Sequence, residues 1–195
     1  MAGRIGVGLL CLVRTLTAGA DDAISHEYEI KAAFLFNFTR FIEWPSQSFA
    51  DSSSPIVIGV IGADPFGAGL ASVVKDRHVN GRAIVARSVS SGEEARATHL
   101  LFVGVGRPEE LAQLMQSLSG YPVATVGESA AFAAQGGTIR FVLQGDKVRF
   151  EINAAAAERA RLRISAQLEK LAIAVHRTSQ AQEGGCCATS RSAGS

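Results

Sequence analysis

Between Ile56 and Val126 four short apolar runs alternate with helix signals, and few architectures can accommodate that rhythm. Ile56 to Ile61 is a continuous β-branched run, as expected for a strand covered on both faces. Gly62-Ala63-Asp64-Pro65 then turns the chain. Asp64 is a natural N-cap and Pro65 suits a first helical position, so a helix is expected to about Lys75. Asn80-Gly81 marks a turn, and Ala83 to Val89 reads as a second strand. Ser91, Glu93 and Glu94 open a short helical turn with acids placed to suit its dipole. His99 to Val103 is a third strand, ended by Gly104 and Gly106. Pro108 and Glu109-Glu110 start a helix whose Leu111, Leu114, Met115 and Leu118 face inward. After Gly120-Tyr121-Pro122, Val123 to Val126 is a fourth strand, and Gly127-Glu128-Ser129 starts a helix through Ala134.

A hairpin follows. Ile139, Phe141 and Leu143 alternate on one strand, and Val148, Phe150 and Ile152 on the next, with Gln144-Gly145-Asp146-Lys147 as the turn. Asn153 caps a helix spanning Ala154–Arg161, Leu162 and Ile164 suggest a brief extended piece, and Ser165 caps a last helix carrying Leu168, Leu171 and Val175. The fold class expected is α/β: a three-layer sandwich with a mostly parallel sheet and an antiparallel hairpin at one edge. Two segments echo each other, Val60 to Phe66 and Thr125 to Phe132, each a strand, a Gly, a polar cap and a helix with a Phe.

Ahead of this lies an aromatic stretch, Tyr28 to Pro45, holding four of the chain's ten Phe and its only Trp. Asp21 to Glu27 is a polar lead-in. Ile30, Ala33, Phe34, Asn37, Phe38 and Phe41 recur at helical spacing on one face, and Leu35 and Ile42 fall on another. Pro45 should end the helix at Trp44. Such a helix is either buried between layers or packs on its own core and on a partner as well. Phe34, Phe38, Phe41 and Trp44, with Arg40 and Glu43 at the helix exit, are the candidate contacts for a partner or a second copy.

The chain's 195 residues suffice for one domain with a sizeable core. A formal net charge of +1 gives no electrostatic case for nucleic acid or an anionic membrane. The N-terminus reads as a secretory signal peptide, residues 1–20: Arg4, then an apolar run from Ile5 to Val13, then Ala18 and Ala20 in A-x-A spacing. A mitochondrial or other basic leader is the alternative. Leu9 and Leu10 are too bulky for a lipoprotein cleavage site before Cys11. Cleavage after Ala20 leaves 175 residues, with 17 basic against 18 acidic. The domain should occupy 24–176, and 177–195 should be a disordered tail, since nothing large and apolar follows Thr178. No cysteine lies between Cys11 and Cys186, so an exported domain here has no internal disulfide. Cys186 and Cys187 could bond only between chains or stay free.

Signals for chemistry are weak. His26, His78, His99 and His176 are scattered without metal-ligand spacing, and His99 reads as a satisfied core histidine. There is no phosphate loop, dinucleotide fingerprint or G-x-S-x-G elbow. The acid pairs sit where helix dipoles favour them. An enzyme, a cofactor and a metal are therefore not expected. The turns at Gly62 and Asp64, and at Gly127, Glu128 and Ser129, follow strand ends where open α/β sheets hold ligands, although ordinary capping explains them as well.

Several of these segments resemble the YfiR-like family of periplasmic proteins: Lys31 through Pro45, Gly136 to Phe141, Lys147 to Asn153, and Leu162 to Ser165 with Leu168 and Leu171. The resemblance implies a periplasmic α/β domain, often dimeric. Its implied role is to bind the periplasmic sensor domain of an inner-membrane diguanylate cyclase and hold it inactive, lowering cyclic di-GMP and biofilm formation. An outer-membrane OmpA-like lipoprotein is implied as a second partner. Members described as redox-responsive carry disulfides within the domain; this one has none. Arg161 also stands where members often have Gly. No catalytic residue is implied. The rival expectation is a periplasmic small-ligand sensor that uses the turns at Gly62–Asp64 and Gly127–Ser129.

Overall fold

The computed structural model describes residues 19–177. The expected leader and tail lie almost wholly outside the described residues, as do Cys11, Cys186 and Cys187. Helix α1 (Gly19–Phe41) opens the described chain. It differs from the expectation at both ends. The lead-in is helical, and the helix stops at Phe41, three residues before Trp44. Ile42 and Glu43 are extended as β1 (Ile42–Glu43), which pairs antiparallel with β9 (Arg163–Ile164). Ser165 N–H donates to the Phe41 carbonyl at 2.9 Å, so this ladder takes up a carbonyl at the helix end. Proline's restriction on its predecessor is real, but pairing claims the β-branched Ile42 first.

The alternating segment forms as expected, with sharper limits. The order is β2 (Ile56–Gly62), α2 (Ala68–Val74), β3 (His78–Val79), β4 (Arg82–Val89), α3 (Gly92–Arg96), β5 (Leu100–Gly104), α4 (Pro108–Ser117), β6 (Ala124–Gly127) and α5 (Ala130–Ala134). Helix α2 begins at Ala68 and not at Pro65. The Asp64 carboxylate accepts from the Phe66 and Gly67 amides at 2.9 and 3.3 Å, closing a tight turn just before the helix. Asn80 and Gly81 both have positive φ, 52° and 81°, which marks a hairpin turn that adds the short β3 to β4.

The chain closes with β7 (Ile139–Gln144), β8 (Lys147–Asn153), α6 (Ala154–Arg159), β9, α7 (Ala166–Glu169) and β10 (Ala174–His176). Here the expected long last helix is corrected. Only four residues are helical, and Val175 pairs parallel with Ile152 as an added strand. Helix α6 ends in a left-handed residue: Arg161 has φ 57°, its N–H bonds Glu158 O, and Leu162 N–H bonds Ala157 O. That conformation normally selects Gly.

The main sheet has eight strands in the order β10-β8-β7-β6-β5-β2-β4-β3. All neighbours are parallel except the hairpins β7–β8 and β3–β4. This is the α/β sandwich with a mostly parallel sheet, the β7–β8 hairpin lying one strand in from an edge. One face carries α1, α2 and α7 through Leu35, Phe38, Leu70, Val74 and Leu168. The opposite face carries α3, α4 and α5 through Ala95, Leu111, Leu114 and Phe132. The Phe132 ring lies in a slot between Gly127 and Gly137, where an added Cβ would come within 2.6 and 2.1 Å of it.

Candidate functional site

Strand order reverses between β2 and β5: β4 and β3 follow on one side, β5, β6 and β7 on the other. Open α/β sheets hold ligands in the crevice beyond the carboxyl ends at such a point. Here the two loops are drawn close. Ala63 N–H donates to Gly104 O at 3.1 Å, and a Cβ on Gly104 would fall 2.1 Å from Ala63 O. Above them lies a cavity of about 240 Å³ bounded by Tyr28, Ala63, Pro65, Gly104, Val105, Gly106, Glu128 and Ser129. A second hollow, about 260 Å³, lies between Glu27, Lys31, Arg140, Phe141 and Leu143. Glu128 borders both.

Glu128 is tied to α1. Lys31 Nζ donates to Glu128 Oε1 at 2.7 Å and also bonds Glu27, one turn earlier. Tyr28 donates to Glu128 Oε2 at 3.2 Å. The Lys31 side chain is only 3% exposed, its ammonium 4.3 Å from the centre of the Tyr28 ring. Burial alone would lower the Lys31 pKa, but the hydrogen bonds to Glu128 and Glu27 and the Glu128 charge outweigh it and hold the group above its ordinary value. Tyr28 is pushed up, first by burial and then by the Glu128 charge. Its ring meets Phe66 edge-on at 5.6 Å, and Phe66 meets Phe102 at 4.8 Å.

Of the expected ligand residues, Glu128 and Ser129 line the crevice. Gly62 and Asp64 stand beside it, Asp64 held by its own turn. Gly127 is corrected to a packing position beneath Phe132. Ser129 caps α5 by accepting from Phe132 N–H at 3.0 Å. Tyr28, Glu27 and Lys31 were not anticipated. Their signal was a lysine inside an apolar stripe, four residues after a glutamate, which demands a carboxylate.

The aromatic helix also differs from its expected face. The buried positions are Lys31, Ala32, Leu35, Phe38, Thr39 and Ile42, whereas Ala33 is exposed. Phe38 is wholly buried against Phe141 and Phe150, at 5.8 and 5.1 Å between ring centres, so as a partner contact it is corrected to a core residue. Phe34 and Phe41 are half-buried. Trp44 donates its indole N–H to His99 O at 2.9 Å. Arg40 and Glu43 are exposed; Arg40 lies 5.9 Å from the Phe41 ring. His99 is a satisfied core histidine: Nδ1 accepts from Val57 N–H at 3.1 Å, which puts the proton on Nε2, 3.2 Å from Ser48 O. Burial, opposed by the Ser48 bond, lowers its pKa. Among the described residues no cluster of His, Cys, Asp and Glu could hold a metal, and no helix is long and apolar enough to cross a membrane.

A sequence profile described as YfiR/HmsC-like matches residues 28–173. Among solved structures, the chain is similar to one titled as the ABC domain in complex with L-Trp from Streptococcus pneumonia. The two are 10% identical with a TM-score of 0.50, over 74% of this chain and 60% of that one. The chain thus spans less than two thirds of that structure's length, and the likeness is one of fold.

Proposed function

The chain belongs to the YfiR/HmsC-like family, and from that premise we propose that it binds and inhibits the periplasmic sensor domain of an inner-membrane diguanylate cyclase, lowering cyclic di-GMP signalling. The family is periplasmic, and regulatory rather than catalytic. The observation that carries the reading is the family match across nearly the whole domain. In this proposal residues 1–20 are a cleaved leader, 24–176 the working domain and 177–195 a tail. The seam for the cyclase or for a second copy is the exit of α1: Arg40, Phe41, Glu43 and Trp44, with Phe34 beside them. An OmpA-like lipoprotein would act by drawing the repressor away. Binding the resting cyclase better than the active one shifts its equilibrium by the difference in affinity and no more.

The test is genetic and structural together. Deleting the gene should raise cyclic di-GMP, and the wild-type gene should restore it. The charge-reversed variant Arg40→Glu/Glu43→Arg should be exported and melt normally yet fail to restore it. Unchanged cyclic di-GMP in the deletion strain, with no cyclase recovered alongside the protein, would refute the reading.

A second reading rests on the crevice over the sheet's reversal point, flanked by Glu128 and Tyr28: a sensor for a small cationic ligand. A ligand at a hundred times its dissociation constant stabilises by roughly 2.7 kcal/mol. A thermal-shift screen of amines in which none raises the melting temperature would discard this reading.

A further inference from the structure

The loop between β1 and β2, residues 44–55, is held from outside itself. Its own backbone bonds, Ser48 N–H to Pro45 O and Phe49 N–H to Ser46 O, stay inside it, and among the described residues no backbone–backbone bond joins residues 46–54 to another element. The outside anchors come from two residues. Arg82 on β4 donates to Asp51 O and Ser54 O at 2.8 and 2.7 Å, with its guanidinium carbon 3.9 Å from the centre of the Phe49 ring. His99, just ahead of β5, stacks on the same ring, 4.5 Å between centres and 20° between planes, and its Nε2 lies 3.2 Å from Ser48 O. Trp44 meets the imidazole edge-on at 5.9 Å. The closed loop also carries a flaw: Ser48 Oγ is buried with no hydrogen-bond partner, a desolvation cost that opening to water would relieve.

Of the two anchors only His99 can change charge near neutral pH. Its N–H donates to Val57 O at 2.9 Å, and its Nδ1 accepts from Val57 N–H at 3.1 Å. The ring thus supplies the acceptor that the β2–β5 ladder lacks before its first pair, Ile58 with Leu100. A proton on Nδ1 turns this contact into two donors face to face. Val57 cannot retreat, since Val85 pairs with it on the other side. The ring is what can turn, and turning it gives up the Phe49 stack and the Ser48 bond together. The surrounding charges work the same way. Arg82 and Arg87, both on β4, oppose another cation. The acids of the adjoining segments do not offset them: Asp51 is taken up by the amides and hydroxyls of Ser53 and Ser54, and Glu43 on β1 is exposed.

We propose that the 44–55 loop is an acid-released latch: protonation of His99 at Nδ1 breaks its bond to Val57, and the loop swings off the amino-terminal ends of β2 and β5, freeing Phe49 and uncovering the side of Trp44 that meets the imidazole. Above pH 6.5 the latch is shut. It loosens as pH falls from there, and the loosening levels off once His99 is charged in the shut form as well. Trp44 belongs to the seam proposed above, so a partner seated there would sense pH; the latch itself depends on neither functional reading.

The experiment is amide exchange of the mature chain, followed by NMR between pH 7.5 and 5 and expressed as protection factors. Ser48, Phe49 and Val57 should lose protection together, at least about threefold, the factor that corresponds to roughly half a pH unit between the titrations of the shut and open forms. Leu101 and Val126, in central strands, should hold theirs. His99→Asn puts an amide oxygen where Nδ1 accepts from Val57 but cannot titrate. Its loop protection, whether high or low, should not change across the same range. A wild-type loop indifferent to pH, Val57 losing protection while Ser48 and Phe49 keep theirs, an equal loss at Leu101 and Val126, or a response that survives His99→Asn would each overturn the proposal. The first three are read on the wild-type protein and need no variant to fold.

Discussion

Replacing Lys31 by Met keeps the side chain's apolar stem and removes only the ammonium that joins Glu27 to Glu128. Removing one partner of a fully buried charge pair costs about 3–5 kcal/mol. Here the orphaned carboxylates retain 24% and 33% exposure and can rehydrate, so about half that, ~2 kcal/mol, is expected. For a domain of this size that lowers the melting temperature by about 4–8 °C. Urea melts of the mature protein at pH 7 measure it as a lower midpoint with an unchanged slope. Adding Glu128→Gln removes one of the stranded charges and should recover roughly 1 kcal/mol, a coupling that two independent sites would lack. Because the Lys31 pKa is raised, its contribution is complete below 10.5, its ordinary value, and fades as pH rises through the higher folded value. A Lys31→Met variant within about 0.5 kcal/mol of wild type, or no recovery from Glu128→Gln, would refute the reasoning.

Three further outcomes are expected. Arg161→Gly should stabilise by about 0.5–1 kcal/mol in urea melts, because a left-handed Arg is strained and its bond to Gly120 is exposed; Arg161→Val should do the reverse. The His99 imidazole should titrate below 6.5 by NMR. The fold favours its neutral form, so stability is full above the ordinary value of 6.5 and declines as pH falls from there toward the folded value, levelling off as the His99 signal itself titrates. Phe38→Ala should cost about 3–5 kcal/mol and Phe34→Ala clearly less, since only Phe38 is wholly buried.

The strand–helix rhythm was legible because a buried parallel strand needs a nearly unbroken apolar run and each connection needs a cap, and both demands are local. Ser91, Ser129, Asn153 and Ser165 all cap as their positions suggest. What escaped was decided by distant partners. Ile42 left its helix because Ile164 was available to pair with it. Val175 had helical spacing from Leu168 and Leu171 but became a strand beside Ile152. The buried stripe of α1 turned away from Ala33 and Phe34 toward Lys31, Leu35 and Thr39, because Lys31 could find Glu128, 97 residues away. No periodicity within the helix contains that partner. Gly127 looked like a ligand turn for the same reason: its constraint is the Phe132 ring, visible only in three dimensions.

The exposures along α1 bear directly on what a seam there can be. Among the residues whose exposure is described, the large apolar side chains most open to water are Val85, Tyr121, Leu143, Leu171 and Ile173, and none lies in α1 between His26 and Phe41. Phe34, Phe41 and Trp44 already pack against the core, so they offer edges, and Arg40 and Glu43 offer charge. A contact built on that corner is a mixed, largely polar one, of the kind whose association rate is tuned by charge more than by buried area. The association rate with the cyclase domain should therefore fall as ionic strength passes from about 0.05 to 0.5 M, where the screening length shrinks to a few ångströms. Arg40→Glu should slow it at low salt far more than at high salt. An association rate indifferent to salt, with Arg40→Glu binding as wild type, would move the seam off α1.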